Sequence, residues 1–333
     1  MDFYLKPKGI FETHLIADMH NDLPFHVYQN RKNGMHQVIE TLYLKDILKG
    51  QVNLIVCAIY VDEANSDDWA GNAKQQINSL YDDVSESLDK LAICTTYEQI
   101  CLTIASGRVA LLISLEGCEP VTTVDTLDEF FEMGVRLVGL TWSRKNQCGD
   151  GCSFAPLSEY ETPKLGLTQF GFKVLERAGR LGMLIDVSHL SEPSFKDVFS
   201  TGIENIFASH SNVQSVMPCR RNISDEQIKM IAQVGGVIGI MGVDSMVGGN
   251  DLVKGYCDHI DYVVRLIGLE YVALGVDLYS YFYENNTSMP KEAINGYSEL
   301  HLIYEELTKR GYSQNQINSV LGTNFTNFIK NRL

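Results

Sequence analysis

Short apolar runs rich in β-branched residues recur along this chain, and polar stretches with helical spacing separate most of them. Eight runs qualify as strands: 15–17, 52–60, 109–115, 135–141, 182–188, 205–209, 236–241 and 271–276. Between them, Ile77, Leu80, Val84, Leu88 and Leu91 keep a three-to-four spacing, as do Val174, Leu175, Ala178 and Leu181, which predicts amphipathic helices. Ser224-Asp225-Glu226-Gln227 reads as a capping box whose helix ends at Gly235-Gly236, just before the seventh strand. Near-continuous apolar strands alternating with helices predict an α/β fold with a covered parallel sheet. Eight such units predict closure into a (β/α)8 TIM-type barrel.

Five of these runs deliver an acid or a histidine at the carboxyl end, where barrel enzymes keep their chemistry. The first leads into Asp18-Met19-His20-Asn21-Asp22-Leu23-Pro24, the third into Glu116, the fifth into His189, the sixth into His210 and the last into Asp277. In an extended strand His20 and Asp22 leave the same face and can grip one cation, Asn21 points away, and Pro24 stops the ladder. Each residue alone has a bland competitor. His189 and His210 also fit satisfied core histidines, Glu116 a helix cap, Asp277 a partner for a backbone amide. Together those readings place five polar side chains independently at apolar strand ends, where burial without partners costs several kcal/mol each. A shared metal site explains them at once. His14, His26, His36, His259 and His301 lack such surroundings, and His259 lies on a helical face with Ile260, Val263, Val264 and Ile267.

Composition narrows the classes. The 333 residues carry 45% hydrophobic and 21% charged side chains, ordinary globular usage. No linker, repeat or low-complexity tract divides them, so a single domain over 1–333 is expected. A formal charge of −15 argues against a nucleic-acid partner. The apolar runs are strand-length, too short for a bilayer, and the first residues lack the apolar core of a signal peptide. A cytoplasmic location without a membrane partner is the expectation. Cys148 and Cys152 are four apart with no second pair at structural-zinc spacing, and the other six cysteines are scattered, so reduced thiols are expected.

Over almost its whole length the sequence resembles the membrane (renal) dipeptidase family, a zinc-metallopeptidase branch of the amidohydrolase-like barrels. The resemblance rests on residues 18–24, Ser114-Leu115-Glu116-Gly117, Gly182-Met183-Leu184-Ile185-Asp186-Val187-Ser188-His189 and Ala208-Ser209-His210-Ser211. Arg220-Arg221-Asn222-Ile223-Ser224-Asp225 and Gly322-Thr323-Asn324-Phe325 complete it, in one order and at compatible spacing. It implies two zinc ions, one on His20 and Asp22, the other on His189 and His210, with Glu116 bridging. A pair roughly 3.5–4 Å apart shares an acidified water, and the bridging hydroxide attacks the peptide carbon of a small dipeptide with free termini. It further implies a proton-shuttling role for Asp277, carboxylate recognition by Arg221, tolerance of a D-residue at the carboxyl end, and a homodimer. Without the resemblance, Arg221 pairs equally well with Asp225 or Glu226.

Two departures from the family pattern touch the substrate. Where the mammalian members have Leu-Thr-His after the fourth strand, this chain has Leu140-Thr141-Trp142, leaving Trp142 as an indole donor or pocket wall and Asn146 as a substitute donor. After the eighth strand, Asp277-Leu278-Tyr279-Ser280 replaces Asp-Phe-Asp-Gly, and Tyr281-Phe282-Tyr283 follows at the expected pocket mouth. The competing functions are an amidohydrolase acting on N-acyl amino acids and an inactive metal-binding sensor.

Overall fold

The computed structural model describes residues 15–278, 282 and 290–333. Nine parallel strands are present among them: β1 (Ile16–Asn21), β2 (Val52–Ile59), β3 (Leu91–Ile93), β4 (Val109–Glu116), β5 (Val135–Gly139), β6 (Leu184–Asp186), β7 (Ile206–Phe207), β8 (Ile238–Ile240) and β9 (Val272–Leu274). Eight pair in the order β7-β6-β5-β4-β2-β1-β9-β8. A parallel bridge between Ala208 and Ile238 joins the two ends, with Gly239 donating to the Ala208 carbonyl at 2.8 Å. The (β/α)8 barrel read from the sequence is therefore the architecture, and all eight expected strands lie in its wall.

β3 was not expected. It pairs with the first half of β4, from Leu91 beside Val109 to Ile93 beside Leu111, while β5 takes over from Ile113 onward. The predicted helical register through Leu88 and Leu91 fails there. The helix Trp69–Ser85 ends before Leu88, which is 61% exposed, and Leu91 opens the strand. Spacing alone did not reveal the turn at Ser87, whose carbonyl accepts from Lys90 and whose hydroxyl donates to Glu40. The capping box at Ser224 and Gln227 is formed, opening the helix Asp225–Gln233.

Side chains alternate between two packed layers, as strand geometry requires. Ala110 and Leu112 of β4 join Leu54, Val56, Leu137, Leu184, Phe207 and Ala273 inside the barrel, closed off by Phe325 and Phe328 of the carboxyl-terminal helix Asn324–Lys330. Leu111, Ile113 and Leu115 pack outward against the helices. Continuing the alternation along β4 turns Glu116 inward at the barrel mouth. β1 breaks the rule, because its register against β2 shifts between Asp18 and Asn21. That shift lets His20 reach the mouth although Ala17 and Met19 already face inside.

Near the seam, two glycines let backbones approach closely. A Cβ on Gly239 or Gly275 would lie 1.9 or 1.8 Å from the Ser209 carbonyl oxygen, which is fixed backbone. Gly275→Ala is expected to destabilise the protein by about 3 kcal/mol or more in urea unfolding, since a backbone clash cannot relax through a rotamer. Gly179→Ala, in the helix Gln169–Leu181 and facing only the flexible Ile203 tip, should be neutral or stabilising. Similar effects from the two substitutions would contradict the close-approach argument.

Candidate active site

Six side chains converge at the carboxyl ends of the strands, each delivered by a different local device. His20 sits near the end of β1, and Asp22 lies one residue beyond it at the N-cap of the helix Leu23–Lys32. The two therefore do not share a strand face, as the extended-strand argument required; Asp22 is aimed by the strand-to-helix turn, and Pro24 belongs to the first turn of that helix. Glu116 closes β4. His189 and Asp277 hold left-handed φ values of 66° and 56°, costly for non-glycine residues and characteristic of functional sites. His210 follows β7.

Glu116 is the centre of the cluster. Its Oε1 lies 3.5 Å from His20 Nε2, 3.0 Å from His189 Nε2 and 3.4 Å from His210 Nε2. The last two nitrogens are 2.8 Å apart, and His20 stacks over His210 with ring centroids 3.7 Å apart. On the other side, His20 Nε2 is 3.8 Å from both Asp22 Oδ1 and Asp277 Oδ1. The ligand atoms of His20, Glu116 and His210 form one compact set, and those of His20, Asp22 and Asp277 a second.

His20, Glu116, His189 and His210 are buried, Asp22 and Asp277 partly so, and desolvation dominates their protonation. Burial and the neighbouring Asp22 and Asp277 push Glu116 well above the usual carboxylate range; burial and Asp277 do the same to Asp22. Asp277 rises to about 6, mainly from burial, with Arg221 pulling it back. Burial drives His20 down to about 3 and His189 and His210 well below their ordinary value, with Arg221 adding to each. Neutral imidazoles and crowded acids are the donor set a divalent cation requires. The fit has a second sign: among the described residues, both ring nitrogens of His20 and Oδ1 of Asp22 are buried without a hydrogen-bond partner. Native structures rarely leave such atoms unsatisfied.

Arg221 lies behind the histidines, 2% exposed, donating from Nη2 to the His210 carbonyl at 2.7 Å and from Nη1 to Ser211 Oγ at 3.1 Å. Among the described residues its Nε has no hydrogen-bond partner, and it forms no ion pair there. Asp225, a competitor for it in the sequence, instead accepts from Ser215 and Tyr262. Trp142 stacks near His189 at 5.5 Å, within a wall that includes Tyr60 and Phe154. Asn146 is not brought to the cluster. Its amide donates to the Leu140 carbonyl and its oxygen accepts from Cys148 and Gly149, so it braces the loop after β5 rather than offering a donor at the site.

The structure also adds residues that sequence reasoning passed over. Ser143 Oγ lies 2.7 Å from His189 Nδ1, and Ser209 Oγ lies 2.6 Å from His210 Nδ1. Adjacency to Trp142 and His210 is the only signal the sequence carries for them. Arg144 pairs with Glu119 at 2.6 Å and lies over the Trp142, Tyr60 and Trp69 rings. Tyr279, Ser280, Tyr281 and Tyr283 lie outside the described residues, whereas Phe282 stacks on His26 at 3.8 Å. His259 is fully buried, accepting from the Val213 amide and facing the Val247 carbonyl, a packing role. All eight cysteines are free.

A parallel barrel that gathers histidines and carboxylates at the carboxyl ends of its strands defines a metallo-hydrolase. The family model for membrane dipeptidase, peptidase family M19, matches residues 6–331, and the chain belongs to that family. It is a metallopeptidase of the dipeptidase class. Among curated relatives, Dipeptidase verJ of Clonostachys rogersoniana is 25% identical over 93% of this chain and 82% of its own. Dipeptidase 3 of Mus musculus is 28% identical over 93% of this chain, which spans 62% of that protein's length. Two solved structures share the fold. A dipeptidase of family M19 superposes with TM-score 0.84 at 23% identity, covering 96% of this chain and 99% of its own. A metallopeptidase from Rhodobacter sphaeroides, liganded with a phosphinate mimic of L-Ala-D-Ala, gives 0.81 at 22% identity, covering 97% and 100%.

Removing divalent ions should expose the crowding of acids. A carboxylate whose folded pKa is raised contributes stability that is present below its ordinary value of 3.8 and lost as pH rises through the folded value, about 6 for Asp277. Chelation is therefore expected to lower Tm by several degrees at pH 8 and by much less at pH 5, with recovery on adding back a divalent cation. Equal losses at both pH values would contradict the crowding.

Proposed function

We propose that this chain is a zinc-dependent dipeptidase acting on small dipeptides with both termini free. The observation that carries the proposal is Arg221, a buried guanidinium without a carboxylate partner among the described residues, beside a cluster of three imidazoles and three acids. An isolated buried cation is costly, and a planar fork of donors is suited to a carboxylate. The free carboxyl end of a dipeptide supplies the missing charge.

His20 and Asp22 would hold one zinc ion, His189 and His210 a second, and Glu116 would be shared. When bound, the metals would supply Lewis acidity to the scissile carbonyl and acidify a water. The rest of the work falls to the protein. Arg221 fixes the carboxyl end of the substrate, and the acids around Asp277 favour its ammonium end. Asp277, beside His20 at the mouth, takes a proton from the attacking water and returns it to the leaving amine. Trp142, with Tyr60 and Phe154, walls the site on the His189 side, where an apolar side chain would rest. Tolerance of a D-residue at the carboxyl end is supported by the L-Ala-D-Ala mimic bound to the Rhodobacter relative. We also propose that the protein works in the cytoplasm and as a homodimer; among the described residues no helix is long and apolar enough to cross a membrane.

Two substitutions test the roles. Arg221→Ala should lower kcat/KM for free-carboxylate dipeptides on the order of 100-fold, with little change for their amides. Equal losses on both would remove the carboxylate role. Asp277→Asn should lower kcat by about 100-fold or more while leaving zinc content intact. Unchanged turnover would remove the proton-transfer role, full zinc binding without turnover in the wild-type protein would favour a metal-binding sensor, and preference for N-acetylated amino acids over unblocked dipeptides in the same assay would favour the amidohydrolase alternative.

A further inference from the structure

β6 ends on Asp186, a carboxylate only 8% exposed that has no part in the catalysis proposed above. Its Oδ1 accepts the backbone amides of Ser188 at 3.0 Å and Ser209 at 2.9 Å, and its Oδ2 accepts the Ser209 hydroxyl at 2.5 Å. The same Ser209 oxygen lies 2.6 Å from His210 Nδ1. A hydroxyl has one proton. If it goes to the carboxylate, only lone pairs face the imidazole, so His210 must donate from Nδ1 and its Nε2 is left as a bare lone pair. That lone pair faces Glu116 and His189.

We infer that Asp186, acting through Ser209, is a positioning residue that fixes His210 in the Nδ1–H tautomer a cation ligand needs. The inference rests on His210 being a metal ligand. His189 offers a contrast within the same site: its Nδ1 faces Ser143 Oγ, whose neighbour is the weakly accepting Cys152 sulfur at 3.7 Å, not a carboxylate. The two imidazoles are thus unequally supported, and His210 is the more strongly held. The serine network runs further. Ser188 Oγ, 3.4 Å from Ser209 Oγ, accepts the His210 amide at 3.2 Å and lies 3.1 Å from Ser211 Oγ, which receives Arg221. The ligand and the carboxylate-binding arginine are therefore braced by one buried hydroxyl cluster.

Asp186→Asn separates this role from a structural one, because it is isosteric. The asparagine oxygen keeps both backbone hydrogen bonds, but its amide nitrogen donates to Ser209, whose proton then turns to His210 Nδ1 and forces the imidazole proton onto Nε2. Zinc affinity, read by competition with a chromophoric chelator, is expected to fall about 10–100-fold, while circular dichroism and urea midpoint of the metal-free protein stay unchanged. Ser209→Ala should cost about tenfold and Ser209→Thr, which keeps the hydroxyl, much less. In the Ser209→Ala background, Asp186→Asn should have less than about a twofold further effect, because the relay is already cut. Equal losses from Asp186→Asn in both backgrounds, no loss in the first, or equal losses from the alanine and threonine variants would each overturn the relay. Should Asp186→Asn not fold, the alanine and threonine pair still decides. Wild-type protein that binds no zinc would overturn the metal site itself, and the relay with it; wild-type binding with unaffected variants overturns the relay alone.

Discussion

One buried carboxylate oxygen organises this molecule. Glu116 Oε1 stands within 3.0 to 3.5 Å of three imidazole nitrogens, with two more acids just beyond His20. Acids gathered in a buried mouth repel one another, and histidines buried there cannot charge to compensate. Arg221 offsets part of this repulsion, and a bound divalent cation would offset the rest. The barrel makes the gathering possible, since β1, β4, β6, β7 and β9 approach one axis and release their chains at the same end. Their apolar interior, sealed by Phe325 and Phe328, keeps water from solvating the acids from below.

Strain and close approach at the strand ends follow from that demand. His189 and Asp277 adopt left-handed backbone conformations at the points where their side chains must turn back over the mouth. Gly239 and Gly275 let β8 and β9 come up against the Ser209 carbonyl, next to His210. Asp18, buried beneath them and raised to about 6 by burial, accepts from Tyr297 at 2.6 Å and from the Val276 amide at 3.0 Å. It ties β1 to the end of β9 directly before Asp277. The polar residues under the site are thus engaged in holding chain ends, while His20, Asp22 and Arg221 at the mouth each keep a buried polar atom unpartnered among the described residues.

Much of this was legible in the sequence because two periodicities and the residue types at strand ends are local properties. Eight apolar runs marked the barrel wall, and the acids and histidines after them marked the mouth. What escaped was set by tertiary context. The turn after Ser85 converts an apparent continuation of a helix into β3, and no spacing of Leu88 and Leu91 distinguishes the two. The register shift in β1 and the helix N-cap aim His20 and Asp22 by a route that strand alternation misdescribed. Asn146 resembled a donor by type, yet its partners are the loop backbone. Ser143 and Ser209 were invisible because a serine beside a ligand has no pattern of its own until the ring nitrogen it faces is known.

Diffraction from crystals of the zinc-loaded protein, measured on both sides of the zinc absorption edge, tests the central claim most directly. The account predicts two anomalous peaks flanking Glu116, one within coordination distance of His20 and Asp22 and the other of His189 and His210. No peak in the barrel mouth, or peaks lying away from Glu116, would contradict it.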